Sequence, residues 1–219
     1  QADELEALGV EIRCFFLGTR TSLIGLVREW RRLRREIEAF GPDIVHAHFG
    51  TMTAWLVTHA TRLPVVVTFH GSDLNPIPSD NPLRAMIGHG LSRLAALQAR
   101  AIVCVSSELR DRLWWRKSIV RVIPMGVNTR LFTPLSKIDA RKRLGWPLKE
   151  AVVLFNAGSR PQVKRFDVAE AAFAIARTGR PDLRMEVLHG DVDPDAVPFF
   201  LNAADVLLFT SDFEGSPTI

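Results

Sequence analysis

The run PVVVTFH, residues 64–70, decides the fold. It is apolar almost without a break, carries three successive valines, and ends on a histidine that precedes glycine. A half-wet strand alternates apolar and polar residues, whereas a continuous apolar run suits a parallel strand covered on both faces. Working outward, the same pattern recurs. Upstream, residues 43–48 read as a strand and 51–61 as a helix. Before them Leu23, Val27, Trp30, Leu33, Ile37 and Phe40 fall three or four apart, which predicts a helix over 23–40 burying one face. Gly41 and Pro42 stop it. Residues 11–17 read as a short strand and 1–8 as the tail of a helix. Downstream, a proline-bearing loop over 71–82 leads to a helix marked by Leu83, Met86, Ile87, Leu91, Leu94 and Leu97. Strand 101–105, helix 107–115 and strand 119–123 follow.

A second alternation begins at AVVLFNA, residues 151–157, and runs through helix 165–178, strand 183–189, helix 196–204 and strand 205–210. Between the two series, Pro134, Gly145 and Pro147 surround one short basic helix at 136–144. Such β-α alternation predicts an α/β protein with parallel sheets. The expected organisation is a first domain over 1–132, a linker over 133–149 and a partial second domain over 150–219. A parallel strand needs a crossover helix to cover one face, and the chain stops nine residues after 210. The expectation is therefore truncation at both ends.

Composition is that of an ordinary globular protein, with 47% hydrophobic and 24% charged residues in 219. The net charge of +4 is unevenly spread, because Arg28, Arg31, Arg32, Arg34 and Arg35 crowd one stretch. That run reads either as a solvated helix face or as a surface for anionic headgroups. No run reaches the roughly 18 apolar residues that a membrane-spanning helix needs. Cys14 and Cys104 stand in apolar, strand-like runs and read as two small buried residues in a reduced, cytoplasmic setting. With no C-x-x-C or Cys/His cluster, neither a disulfide framework nor structural zinc is expected.

Ligands of open α/β sheets bind beyond the carboxyl ends of the strands, so the chemistry is sought there. Residues 158–165, GSRPQVKR, follow a buried strand and open a helix, whose free N–H groups and dipole attract anions. Arg160 and Lys164 add two cations suited to a diphosphate; the other reading is a solvated basic loop. Glu214 begins EGSPT, in which Gly215 lets backbone N–H groups approach a ligand and the carboxylate can accept from sugar hydroxyls; the other reading is a turn capping a helix. His70 can donate to a hydroxyl or be a satisfied buried histidine. His46 and His48, two apart on a strand, point to one face, which is also a metal-ligand spacing, but no third and fourth ligand has comparable placement.

Five stretches resemble family-4 retaining glycosyltransferases: VVVTFHGSD (65–73), VCVSSELRDRL (103–113), VIPMGVNTRLFTP (122–134), NAGSRPQVKRFDVAEAA (156–172) and FLNAADVLLFTSDFEGSPTI (200–219). They stand in the family's order, and the resemblance is closest to bacterial members that build capsular, teichuronic-type or other surface glycans. It implies a GT-B fold of two Rossmann-like domains, the second incomplete here. It implies transfer of a sugar from a nucleotide-diphosphate sugar to a hydroxyl of a glycan or lipid-linked acceptor, with no cofactor, no metal and no nucleic acid. Lys164 matches the diphosphate-binding lysine. Arg160 resembles its partner arginine, one position later than the usual Gly-Arg spacing. Glu214 matches the first glutamate of the family's Glu-x7-Glu motif. Gly215, Ser216 and Pro217 match the loop whose backbone contacts the sugar. His70 resembles the histidine near the reacting carbon, and Gly126 and Asn128 match the loop between domains. The second glutamate would fall eight residues past Glu214, beyond Ile219, and the family's first glycine-rich loop before Gln1. The rival expectations are an inactive fragment of such an enzyme, a metal-dependent hydrolase built on His46, His48, His70 and Asp73, and a lipid- or glycan-binding module. The cysteine usage fits a cytoplasmic location, at the inner face of the plasma membrane if the arginines meet lipid.

Overall fold

The computed structural model describes residues 2–76, 81–113, 115–158, 161–212 and 214. They form two compact units that divide between Gly126 and Val127. In the first, helices α1 (Ala2–Glu6) and α2 (Leu23–Phe40) precede strand β1 (Val45–His48), α3 (Thr51–Ala60), β2 (Val65–Phe69), α4 (Pro82–Gln98), β3 (Ala101–Cys104), α5 (Ser107–Arg112) and β4 (Val120–Val122). The four strands are parallel, and each pairs with its successor in the order β1-β2-β3-β4. The local chemistry explains the boundaries. Ser22 Oγ accepts from the Gly25 amide to start α2, and Gly41, in the left-handed region at φ 63°, ends it. The Asn81 side chain caps α4, with Pro82 in its first turn.

The β2 residues Val65, Val67, Thr68 and Phe69 are all buried, as a strand covered on both faces requires. Around them Leu26 and Leu33 of α2, Leu56 and Val57 of α3, Ala95 and Ala96 of α4 and Ile102 of β3 make one core. Residues 11–17 do not form the expected strand. Among the described residues no strand pairs with them, and a strand without a ladder leaves its backbone groups unbonded. This stretch is held instead by α2. The Arg32 guanidinium lies 4.2 Å over the Phe15 ring and donates to the Phe16 carbonyl, and the Gly18 amide donates to Glu29 at 3.2 Å. Cys14 is accordingly exposed rather than buried. Cys104 is buried as expected, and desolvation pushes its thiol pKa up to about 12.

The second unit contains α6 (Lys137–Leu144), β5 (Ala151–Gly158), α7 (Phe166–Gly179), β6 (Leu183–His189), α8 (Val197–Ala203) and β7 (Val206–Leu208). Its parallel strands lie in the order β6-β5-β7, so β5 is central. The alternation along β5 sorts its side chains onto two faces. Val152 and Leu154 pack with Ala140, Trp146 and Ala203, while Phe155 and Ala157 pack with Ala169 and Phe166 of α7. Arg141 ties one side together from a buried position. Its Nε donates to the Ala203 carbonyl at 2.9 Å. Its Nη1 donates to the carbonyls of Pro147, Leu148 and Glu150 at 3.2, 2.9 and 2.9 Å, and its Nη2 to Asp205 at 2.7 Å. Asp205 also accepts from Lys137 at 2.8 Å and from the Val152 amide at 2.7 Å, which joins the starts of β5 and β7. No described helix is long and apolar enough to cross a membrane.

Candidate functional site

In the second unit the chain leaves β5 for β6 on one side and returns to β7 on the other. The strand order thus reverses at β5, and the loops leaving β5 and β7 diverge there. That is where open α/β sheets bind ligands. The loop after β5 turns at Gly158, whose φ of 54° suits glycine, and reaches Lys164 and Arg165 at the mouth of α7. The loop after β7 brings Thr210, Asp212 and Glu214 to the same place. Lys164 Nζ donates to Glu214 Oε1 at 2.6 Å, both side chains about one-quarter exposed, at 23% and 22%. The Lys164 ammonium also lies 5.5 Å from the centroid of the Phe209 ring. Two residues of the sequence motif, 50 positions apart, therefore share one half-buried place.

Three further residues hold this corner, and sequence reasoning did not single them out. Thr210 Oγ1 lies 2.9 Å from the carbonyls of both Lys164 and Arg165, to which it donates. Arg165, itself at φ 54°, bridges Asp167 at 2.9 Å and Asp212 at 2.8 Å. These hydrogen bonds and charges raise the Arg165 pKa and keep it cationic. Their signal is spatial: β5 and β7 are neighbours in the sheet but far apart in the chain. Arg160, Gly215, Ser216 and Pro217 lie outside the described residues.

The first unit gathers its own cluster at the ends of β1 and β2. His46 and His48 share a face, with ring centroids 4.3 Å apart. His46 Nε2 bonds Thr68 Oγ1 at 2.7 Å, and His48 Nδ1 bonds His70 Nε2 at 3.2 Å. The Phe49 ring stacks on His70 at 4.6 Å. Desolvation lowers all three imidazole pKa values, that of His46 to about 4 with further repulsion from His48 and His70. His46 keeps an exposed edge, yet the protein packed around its ring and two like neighbours both disfavour its charge.

Asp73, at 1% exposure, does not face this cluster as a free acid. Its carboxylate accepts from the amides of Gly50 at 2.9 Å, His70 at 3.1 Å and Gly71 at 2.8 Å. It thereby stitches the end of β1 to the loop after β2. Ser92 extends the stitch, accepting from the Thr51 amide and donating to the Asp73 carbonyl, each at 2.7 Å. Phe49 and Thr51 are held at φ 76° and 52°, a strained pair flanking Gly50. The ring nitrogens of His46, His48 and His70 that face inward are engaged with Thr68 or with one another. Among the described residues no group of three or more His, Cys, Asp or Glu is arranged to hold a metal.

Gly126 is exposed with open space about its Cα, and Asn128 shapes a turn by accepting the amides of Arg130 and Leu131 at 3.0 and 3.3 Å. On α2 all five arginines are exposed. Arg32 pairs with Glu29 at 2.6 Å and Arg34 with Glu38 at 3.6 Å, while Arg28 and Arg31 pair with no carboxylate among the described residues. Leu23, Ile24 and Val27 are exposed beside them at 81%, 72% and 50%.

Comparison with known proteins bears on both units. The model of Glycosyltransferase Family 4 matches residues 1–131. Bacillus subtilis TuaC, named as a teichuronic acid biosynthesis glycosyltransferase, is 26% identical over 198 residues, covering 81% of this chain and 49% of TuaC. D-inositol 3-phosphate glycosyltransferase of Thermobispora bispora is 29% identical over 155 residues, covering 67% of this chain and 36% of that protein. The chain thus spans at most about half the length of these relatives. Among solved structures, sucrose-phosphate synthase from Thermosynechococcus elongatus superposes with a TM-score of 0.62 at 15% identity, over 92% of this chain and 58% of that one. Anabaena HepE, solved with UDP and glucose, gives 0.60 at 16% identity, over 96% and 63%. These likenesses show the fold, two Rossmann-like units of the GT-B kind.

Proposed function

The chain belongs to glycosyltransferase family 4, and from that premise we propose that it takes part in retaining transfer of a sugar from a nucleotide-diphosphate sugar to a hydroxyl of a glycan or lipid-linked acceptor in bacterial surface polysaccharide synthesis. The observation that carries this reading is the meeting of Lys164 and Glu214 at the switch point of the second sheet, 2.6 Å apart. A cation and a carboxylate side by side suit the two ends of a sugar diphosphate. Lys164, with Arg160, takes the diphosphate, and Glu214, with the backbone of Gly215, Ser216 and Pro217, takes the sugar hydroxyls. TuaC, whose name ties it to teichuronic acid, supports the choice of a surface glycan.

The chemistry needs no nucleophile from the protein. As the bond from the anomeric carbon to the phosphate oxygen breaks, its electron pair goes to the phosphate, where a prepositioned cation stabilises the growing charge. The acceptor oxygen bonds the oxocarbenium-like carbon from the same face and gives its proton to the departing phosphate. Lys164 and Arg160 do the charge stabilisation that a metal performs elsewhere, and no cofactor enters this scheme. His70 offers a neutral ring to a sugar hydroxyl, and Gly126 and Asn128 belong to the segment joining the two units. In the complete protein Lys164→Ala lowers turnover by orders of magnitude with folding intact. Turnover within about twofold of the parent would refute the assignment.

The exposed face of α2 carries a second part of the proposal, contact with an anionic membrane surface. Arg28, Arg31, Arg32, Arg34 and Arg35, beside the exposed Leu23, Ile24 and Val27, combine positive charge with apolar side chains on one helix. Co-sedimentation with phosphatidylglycerol vesicles should fall on Arg28→Glu with Arg31→Glu. Unchanged sedimentation removes this part and leaves the transferase reading untouched.

A further inference from the structure

His70 is fixed on three sides. Its backbone amide donates to Asp73, its ring face stacks on Phe49 at 4.6 Å, and its Nε2 meets His48 Nδ1 at 3.2 Å. The remaining ring atom able to meet a ligand is Nδ1, for which no protein partner is found among the described residues. His48 reaches His70 because β1 and β2 are parallel neighbours in register, with His48 beside Thr68. The bend that follows, with Phe49 and Thr51 in the left-handed region, keeps the Phe49 ring on His70.

Burial lowers both pKa values, so at neutral pH this is a contact between two uncharged imidazoles. Such a contact needs one proton, and its owner decides the chemistry of the far nitrogen. If His70 donates from Nε2, its Nδ1 is a bare acceptor. If His48 donates from Nδ1, the proton of His70 sits on Nδ1, and His70 becomes a donor. The Asp73 carboxylate, bonded to the His70 and Gly71 amides, puts negative charge beside the backbone. Nδ1 is the ring nitrogen next to the Cβ-bearing carbon and thus closer to that charge, which favours a proton there.

We propose that His48 is a positioning residue: by donating to Nε2 it holds His70 in the Nδ1–H tautomer, giving the site a fixed hydrogen-bond donor for a sugar oxygen. The groups that surround the pair are His46 on β1, Asp73 in the loop after β2 and the neutral ring of Phe49. The tautomer is argued from the ring contact and the charge of Asp73, and its use toward a sugar rests on the transferase reading above.

Long-range proton–nitrogen correlation on the full chain, labelled at the histidine ring nitrogens, tests it at neutral pH. A pyrrole-type Nδ1 and pyridine-type Nε2 on His70 are expected. His48→Phe, which keeps a ring but no donor, should raise the Nε2–H fraction of His70 against the bias of the Asp73 charge. His48→Asn, whose amide can donate from about the same place, should restore the parent pattern. A parent spectrum with the proton on Nε2, or an Nδ1–H tautomer unchanged in His48→Phe, overturns the proposal; the parent spectrum decides even if a variant fails to fold. In sugar transfer, His48→Phe should lower kcat/KM about five- to tenfold, the scale of one misplaced hydrogen bond, with recovery in His48→Asn. If His70→Ala leaves transfer unchanged while the tautomer follows His48, the transferase role of His70 falls and the coupling of the two rings stands.

Discussion

Replacing Arg141 by methionine tests how the second unit holds its parallel strands in place. The side chain is 3% exposed and donates to four carbonyls and one carboxylate. Removing it does not orphan all of them equally. Pro147 and Leu148 are exposed and their carbonyls can take water, while the Ala203 carbonyl belongs to a fully buried residue and stays dry. A buried acceptor without a partner costs about 1–3 kcal/mol. Breaking a buried ion pair outright costs about 3–5 kcal/mol. Asp205 keeps Lys137 and the Val152 amide, so the loss lies at the low end of that range. The expected change is about 3 kcal/mol, a large part of the roughly 5–15 kcal/mol that a domain possesses. Native-state hydrogen exchange of the β5 amides reads it directly, as a loss of protection of roughly a hundredfold. Arg141→Lys should recover only part, because a single ammonium cannot reproduce the planar fork. A change below about 0.5 kcal/mol, or full additivity with Asp205→Asn, would refute the clamp.

Two other outcomes follow from the first unit. A methyl at Gly50 would sit 2.5 Å from Ser92 Oγ and 2.7 Å from Phe69 Cε1, so Gly50→Ala should cost about 1–3 kcal/mol in urea unfolding and shift the ring resonances of His48 and His70; a neutral effect would mean that the Asp73–Ser92 stitch is loose. The folded-state pKa values of His46, His48 and His70 lie below the unfolded value, so between them the unfolded chain binds more protons. Their contribution to stability is therefore complete above about pH 6.5 and is lost as the pH falls toward about 4. Urea midpoints for the first unit should drop across that window and drop less in His46→Gln, and a flat parent profile would sink the argument.

The β-α alternation was legible because buried parallel strands and one-faced helices differ in period. The helix over 23–40 and the strand over 183–189 stand at the expected residues. Residues 11–17, E-I-R-C-F-F-L, misled because they are apolar and open with an alternation like that of a strand, while strand formation depends on a neighbour that local sequence does not encode. Phe15 and Leu17 do pack on the core, but through α2. At the site, position beyond the strand ends and the family resemblance pointed to Lys164 and Glu214, and the fold brings them together. Arg165, Thr210 and Asp212 were not legible, because their partnership exists only once β7 lies beside β5. Asp73 was visible within HGSD as a possible metal ligand, yet burial turns it into an acceptor for three backbone amides. The sequence could place His48 and His46 on one face, but the reach from His48 to His70 required the register of two strands.

Phe49 and Thr51 give this architecture a cost that an engineer would notice. A β-branched residue at φ 52° sacrifices conformational energy on the order of 1–2 kcal/mol, and glycine or asparagine at position 51 would return some of it. Such a substitution would raise thermal tolerance and at the same time free the bend that presses an aromatic ring against His70. Heat resistance and the seating of His70 are opposed at this corner, and selection for the first alone should erode the second.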